Sequence, residues 1–186
     1  MKNVVLAMFM SLDGYIAGPN GEFLPPPWSA EVGEAWAKHN LASAGHLIYG
    51  RANFDFNKNH WTSPAAAAQT ETATINRLPK TVVSRTLSGD PGWNANLIRR
   101  DLAQAVNRLK ESTHEGDIYC FGGAGLAQSL MQEDLIDEYY LMVVPRLLGN
   151  GKRLFENGAP NTELKLISAK ALDVGSVILH YSRNRS

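Results

Sequence analysis

The sequence predicts an α/β protein: a mixed, mostly parallel central sheet flanked by helices, with antiparallel strands at its C-terminal end. Three observations lead there. Short apolar runs alternate with segments of helical period through the first three quarters of the chain. The first run is almost continuously apolar, as a strand buried on both faces is. After Leu135 the alternation stops, and 137–145, 164–172 and 176–182 each read as strands joined by loops.

The elements follow in order. Residues 4–9 form a first strand, and Asp13-Gly14 a turn before a brief extended piece at 15–17. Gly18-Pro19-Asn20-Gly21 is turn chemistry, and Pro25-Pro26-Pro27 is extended because proline cannot sit inside a helix. Ser29 suits the N-cap of a helix to about residue 41, with Val32, Ala35 and Trp36 on one face. A short strand at 47–49 ends at Gly50, and a short helix starts near Ala52. Pro64 opens an alanine-rich helix over 65–77, with Ala68, Thr72 and Ile75 inward, and Pro79 ends it. Residues 80–84 are a strand and Asp90-Pro91-Gly92 a turn. Leu102, Ala105, Val106 and Leu109 mark an amphipathic helix. Asp117 to Met131 then reads strand, two glycines, helix.

The 186 residues suffice for one core, and no repeat or linker divides them, so one domain over 1–186 is expected. Lys plus Arg equals Asp plus Glu at 18 each, which argues against a broad nucleic-acid footprint. The N-terminal apolar run breaks at Ser11-Leu12-Asp13-Gly14 without a small-residue cleavage site, so it reads as a strand rather than a signal peptide. No stretch is long enough to span a bilayer. One cysteine, Cys120, permits no internal disulfide and fits a reducing compartment, so a cytoplasmic location is expected.

Three strand ends resemble phosphate sites. At Gly122 and Gly123 the missing side chains let a ligand approach the backbone, and the helix that follows offers unpaired N–H groups and a positive dipole. Gly50-Arg51-Ala52-Asn53-Phe54 repeats the strand-glycine-helix order and adds a guanidinium. Ser84-Arg85 brings a hydroxyl and a second guanidinium to the end of another strand. Each alone also reads as a plain turn or a solvated arginine. Together they could span one long ligand with several phosphates. That points to a dinucleotide beyond the carboxyl ends of the strands, and two arginines favour NADPH over NADH.

At these residues the chain resembles the reductases of dihydrofolate-reductase fold. It is most similar to the branch containing the C-terminal reductase domain of the bifunctional riboflavin-biosynthesis deaminase/reductase. The resemblance is carried by 11–17, 50–54, 83–87, 121–126, 135–138 and 145–155, in family order. It implies the three-layer dihydrofolate-reductase-like fold and NADPH as hydride donor. It implies a coenzyme site of Gly50, Arg51, Asn53, Phe54, Ser84, Arg85, Gly122, Gly123, Ala124, Gly125 and Leu126. Asn53 stands where the family often has Thr or Ser, which changes the reach of that contact. A homodimer through the C-terminal sheet is also implied. The zinc-deaminase signature is missing, since one cysteine cannot supply it, so the chain would be a free-standing reductase.

Hydride transfer needs a nicotinamide face-on to an electrophilic carbon, with a proton supplied where the substrate requires one. Asp13 and Glu31 are the candidate catalytic carboxylates, with Glu34 behind them. A turn role for Asp13 and a helix-dipole role for Glu31 are the competing readings. Ala7, Phe9 and Trp28 could wall the substrate pocket or simply pack in the core. Trp61 and Trp93 fall in loops and could cover a ring. His39, His46, His60, His114 and His180 lack metal-ligand spacing, and no nucleophile elbow or Walker loop occurs, so no metal and no covalent intermediate are expected. The leading reading is an NADPH-dependent reductase of a small heterocycle, a ribosylated pyrimidine or a pteridine. The alternatives are a non-catalytic NADPH-binding protein and a protein that keeps the fold alone.

Overall fold

In the computed structural model, which describes residues 2–23, 25–112, 115–156 and 159–184, the chain opens with β1 (Val4–Ser11) and the short β2 (Tyr15–Ala17). A helical run follows: α1 (Ala30–Val32), a π-helical segment (Gly33–Lys38) and α2 (His39–Ser43). Next come β3 (Ala44–Gly50), α3 (Arg51–Trp61), α4 (Thr72–Arg77), β4 (Lys80–Val83) and β5 (Ala95–Ile98). Then α5 (Leu102–Glu111), β6 (Asp117–Cys120), α6 (Ala124–Gln132) and β7 (Glu138–Val144) lead to β8 (Lys152–Arg153), β9 (Leu164–Ala171) and β10 (Val177–Arg183).

Eight strands form one sheet in the order β5-β4-β3-β6-β1-β7-β10-β9. Pairing is parallel from β5 through β7 and antiparallel where β10 joins β7 and β9. The predicted mixed sheet with an antiparallel C-terminal end is the sheet observed. Val4, Leu6 and Met8 of β1 pack with Val106, Leu126 and Leu130 of α5 and α6. Val5 and Ala7 point to the opposite face, toward Val32, Trp36, Phe54 and Ile75. Both faces of β1 are thus covered, which is why its sequence does not alternate.

Three parts depart from the sequence reading. The helix expected over 65–77 is a single 3₁₀ turn, Pro64–Ala66, and then α4. Thr72 Oγ1 donates to Ala66 O at 2.5 Å, tying off a carbonyl that a continuous helix would use. Ala66 rather than Ala68 is the buried alanine. The edge strand β5 was not expected, because Ala-Asn-Leu-Ile is short and its asparagine disfavours strand. It is set by register with β4, Lys80↔Ala95 to Val83↔Ile98, after a turn with positive φ at both Trp93 and Asn94. The two-residue β8 is charged and carries no pattern; pairing with β2 makes it a strand. Ser29 caps α1 as predicted, its hydroxyl accepting from Val32 N at 3.2 Å.

Candidate functional site

The carboxyl ends of β4, β3, β6 and β1 stand side by side on one rim of the sheet. Gly50 pairs with Val83, so Arg51 and Ser84 leave adjacent strands together. Gly50 begins α3 and Gly123 begins α6, and neither helix has a side-chain cap. Their first backbone N–H groups therefore remain open to a ligand, beside two positive helix ends. The two starts nearly touch. A methyl built on Gly123 would lie 3.8 Å from Gly50 N, and one on Gly50 would lie 3.4 Å from Leu126 Cβ. Gly122 adopts φ +133° and leaves room beside Asn53, whose Nδ2 would be 3.1 Å from any Cβ there. That Nδ2 is buried with no hydrogen-bond partner, while the Asn53 oxygen accepts from Asn57 at 3.1 Å. An orphaned donor costs stability unless something accepts from it.

The sequence-predicted coenzyme residues are thus brought together at one rim. Ser84 is buried, and its hydroxyl accepts from Leu87 N at 3.1 Å, shaping the loop that carries the exposed Arg85. Arg51 is exposed and pairs with Asp55 at 2.5 Å along its own helix. Phe54 turns inward and packs against Tyr49 and Trp93, so its side chain belongs to the core. Cys120, at the end of β6, is fully buried, and burial pushes its thiol up to about 11.

Beyond the glycine floor β1 forms a wall. Leu6 pairs with Cys120, the last residue of β6, yet β1 continues five residues to Ser11, roughly 16 Å further. Phe9 and Met10 lie on this projecting part. Ala7 is buried, and Phe9 lies against Trp36 with ring centroids 4.5 Å apart. Trp28 is 55% exposed, so it is not the core residue its alternative reading required. Trp61 closes α3 and donates to Asn57 at 3.1 Å, and Trp93 lies beneath Lys80, whose ammonium is 4.4 Å from its ring centroid. Trp61 is therefore helical rather than in a loop, while Trp93 sits in the turn before β5, as expected, with its ring packed inward.

Both candidate carboxylates are structural anchors. Asp13 accepts from the Ser11 hydroxyl at 2.6 Å, from Leu148 N at 3.1 Å and from Gly149 N at 2.7 Å. These donors hold its pKa down at about 2. A carboxylate so fixed is a poor proton donor near neutral pH; it ties the loop after β1 to the loop after β7. Glu31 pairs with Lys170 at 3.0 Å and accepts from Asp173 N at 2.8 Å, which lowers its pKa as well. It clamps the start of α1 to the β9–β10 turn. Glu34 forms an exposed pair with Lys38. Among the described residues no three His, Cys, Asp or Glu side chains gather as a metal site, and His114 lies outside the described residues.

Sequence reasoning missed two exposed rings, Phe23 and Phe56, that extend outward from Phe9, and it read Trp36 only as a helix-face residue. Phe23 has no periodicity to betray it, and Phe56 sits on the polar face of α3. Over residues 2–178 the chain matches the family model described as RibD C-terminal domain.

The chain belongs to the RibD C-terminal domain family.

The uncharacterized protein YyaP of Bacillus subtilis (strain 168) is 28% identical, over 98% of this chain and 96% of its own. A crystal structure described as a candidate riboflavin biosynthesis protein of Shewanella sp. PV-4 superposes with a TM-score of 0.76 at 24% identity, over 100% of both chains. The diaminohydroxyphosphoribosylaminopyrimidine deaminase/5-amino-6-(5-phosphoribosylamino)uracil reductase of Thermotoga maritima superposes with a TM-score of 0.70 at 11% identity. There the match covers 98% of this chain and 57% of the other. The RibD reductase-like fold is therefore common to all of these structures, and membership of the family marks the chain as oxidoreductase-like.

Proposed function

We propose that this RibD C-terminal domain protein is an NADPH-dependent reductase of a small heterocyclic substrate, similar to 5-amino-6-(5-phosphoribosylamino)uracil reductase. One observation carries the reading: two uncapped helix starts, at Gly50 and Gly123, meet beside the unpartnered Asn53 Nδ2. That cradle suits the pyrophosphate of a dinucleotide, with the amides of Gly123, Ala124, Gly125 and Leu126 on one side and those of Arg51 and its neighbours on the other. Asn53 would donate to a phosphate oxygen, a task for which an amide serves as well as the hydroxyl common in the family. Ser84 and Arg85, one strand further out, suit the adenosine 2′-phosphate. When bound, the coenzyme supplies the hydride. The chain's own part is to hold it across the rim, to exclude water with the β1 wall, and to present Phe9 to the substrate, with the buried Ala7 packed behind that wall.

NADPH should quench tryptophan emission on titration, and Arg85→Ala should weaken NADPH by about 1.5–3 kcal/mol, the range for a hydrogen bond to a charged group. NADH should be nearly unaffected. Equal weakening of both coenzymes would remove the 2′-phosphate assignment. The fixed ionisation of Asp13 and Glu31 favours a second reading, an NADPH-binding protein without turnover. Loss of NADPH absorbance on adding dihydrofolate, a dihydropteridine or a ribosylaminopyrimidine separates the two. We further propose a homodimer acting in the cytoplasm, for which the apolar edge strand β9 and the lone buried thiol speak.

A further inference from the structure

We propose that Phe23 and Phe56 determine specificity by clamping a flat heteroaromatic ring over Phe9, a device that rests on the reductase reading for its place in a reaction but is built from residues outside the coenzyme rim. The rings form a ladder. Phe9 lies 4.5 Å from Trp36, Phe23 lies 6.4 Å from Phe9, and Phe56 lies 6.0 Å from Phe23, centroid to centroid.

The inner end is rigid. Trp36 is buried and packs on Tyr140 at 5.5 Å, and the Tyr140 hydroxyl donates to Ala35 O at 2.7 Å. The outer end is open: Phe23 is 51% and Phe56 54% exposed. Two apolar rings that touch each other and stay half in water form a patch that calls for a ligand.

Their supports are separate segments of the chain. Phe23 stands between a tight turn, closed by Gly21 N to Gly18 O at 2.9 Å and Gly18 N to Glu22 O at 3.1 Å, and the extended Pro25-Pro26-Pro27. Phe56 rides on α3, about 7.5 Å along the axis from Arg51, so the clamp borders the coenzyme rim. A ring held between two others needs about 7 Å between them, twice a van der Waals contact. The observed spacings of 6.4 and 6.0 Å fall short of that by about 0.6 and 1.0 Å, with rings tilted 47° in both pairs, so a swing of Phe23 by about 1 Å admits a flat guest. Three phenyl faces reward a planar π system and offer nothing to a sugar phosphate.

The test uses the full chain and lumazine, a fluorescent flat bicyclic pteridine, followed by fluorescence anisotropy, with NADPH affinity and sedimentation measured in parallel. The parent should bind lumazine. Phe23→Ala and Phe56→Ala should each raise its Kd about tenfold, Phe23→Tyr should keep parental affinity, and ribose 5-phosphate should not compete. Phe155→Ala, at an exposed ring outside the ladder, should leave lumazine binding unchanged. Parental lumazine affinity in both alanine variants, no lumazine binding by the parent, or competition by ribose 5-phosphate overturns the proposal. So does a change of oligomeric state in the alanine variants with lumazine binding intact, which would make the patch an interface. Loss of NADPH binding in the parent with the lumazine pattern intact would count against the coenzyme reading alone.

Discussion

Asp13 follows the projecting end of β1, as a proton donor near the cleft would, yet its contacts make it a structural anion. Ser11, Leu148 and Gly149 donate to the carboxylate, and no neighbour in that set favours the protonated form. Its pKa is lowered from 3.8 to about 2, so it binds a proton more weakly folded than unfolded. The stability it contributes is therefore complete above pH 3.8 and is lost as the pH falls toward 2. Asp13→Asn sets an amide donor against two backbone donors. We predict that the variant is less stable than the parent in urea at about pH 5, and that the gap between them narrows by about pH 2.5. A gap that stays constant over that interval would show that the carboxylate's charge plays no part in joining the two loops. Turnover, where a substrate is found, should not require Asp13 as an acid.

At the scale of elements, the start of α1 is fastened twice. The Ser29 hydroxyl accepts from Val32 N and donates to Asp173 at 2.6 Å, and Glu31 accepts from the same turn. Ser29→Ala removes the cap and one link to the β9–β10 turn, and should cost about 1–2 kcal/mol in chemical denaturation. No measurable loss would mean that Glu31 and Lys170 hold the contact unaided. Ser29 was legible because a cap is a local signal, as were β1, β3, β4, β6 and the amphipathic α5. The glycine rim was legible for the same reason: Gly50 and Gly122-Gly123 break two strands at their ends, and neighbouring strands must bring those ends together. β5 and β8 were not legible, since four residues and two residues take their form from partners far along the chain. The alanine run misled because helix propensity is a weak prior, and one threonine side chain redirected it. The contacts of Asp13 and Glu31 were not legible for a related reason. Their partners Leu148, Gly149, Lys170 and Asp173 lie more than 130 residues away, and no spacing within a motif reveals them.

At the scale of the whole molecule the sheet has two unequal edges. β5 is short, while β9 is eight residues long and exposed throughout, with Leu164, Leu166 and Ile167 at 41%, 52% and 50%. Tyr139 pairs with Tyr181 and Tyr181 with Leu166, so an apolar row leaves the core and runs out to the edge. Long apolar edges invite pairing with another chain unless charge or a covering element blocks them. Zero net charge gives no long-range repulsion between copies. A second copy related by a two-fold axis would bury the row against itself and use each residue twice. Leu166→Asp should then split the dimer, because each copy loses the roughly 1.5–3 kcal/mol of a buried leucine, about a hundredfold or more in dissociation constant when doubled. The folded monomer should keep its circular dichroism and its NADPH affinity, since Leu166 lies on the outer edge, with four strands between it and β3 in the sheet order. Sedimentation velocity decides it: a parent that sediments as a monomer at about 10 μM, or a Leu166→Asp variant that remains a dimer, would place the interface elsewhere or remove it.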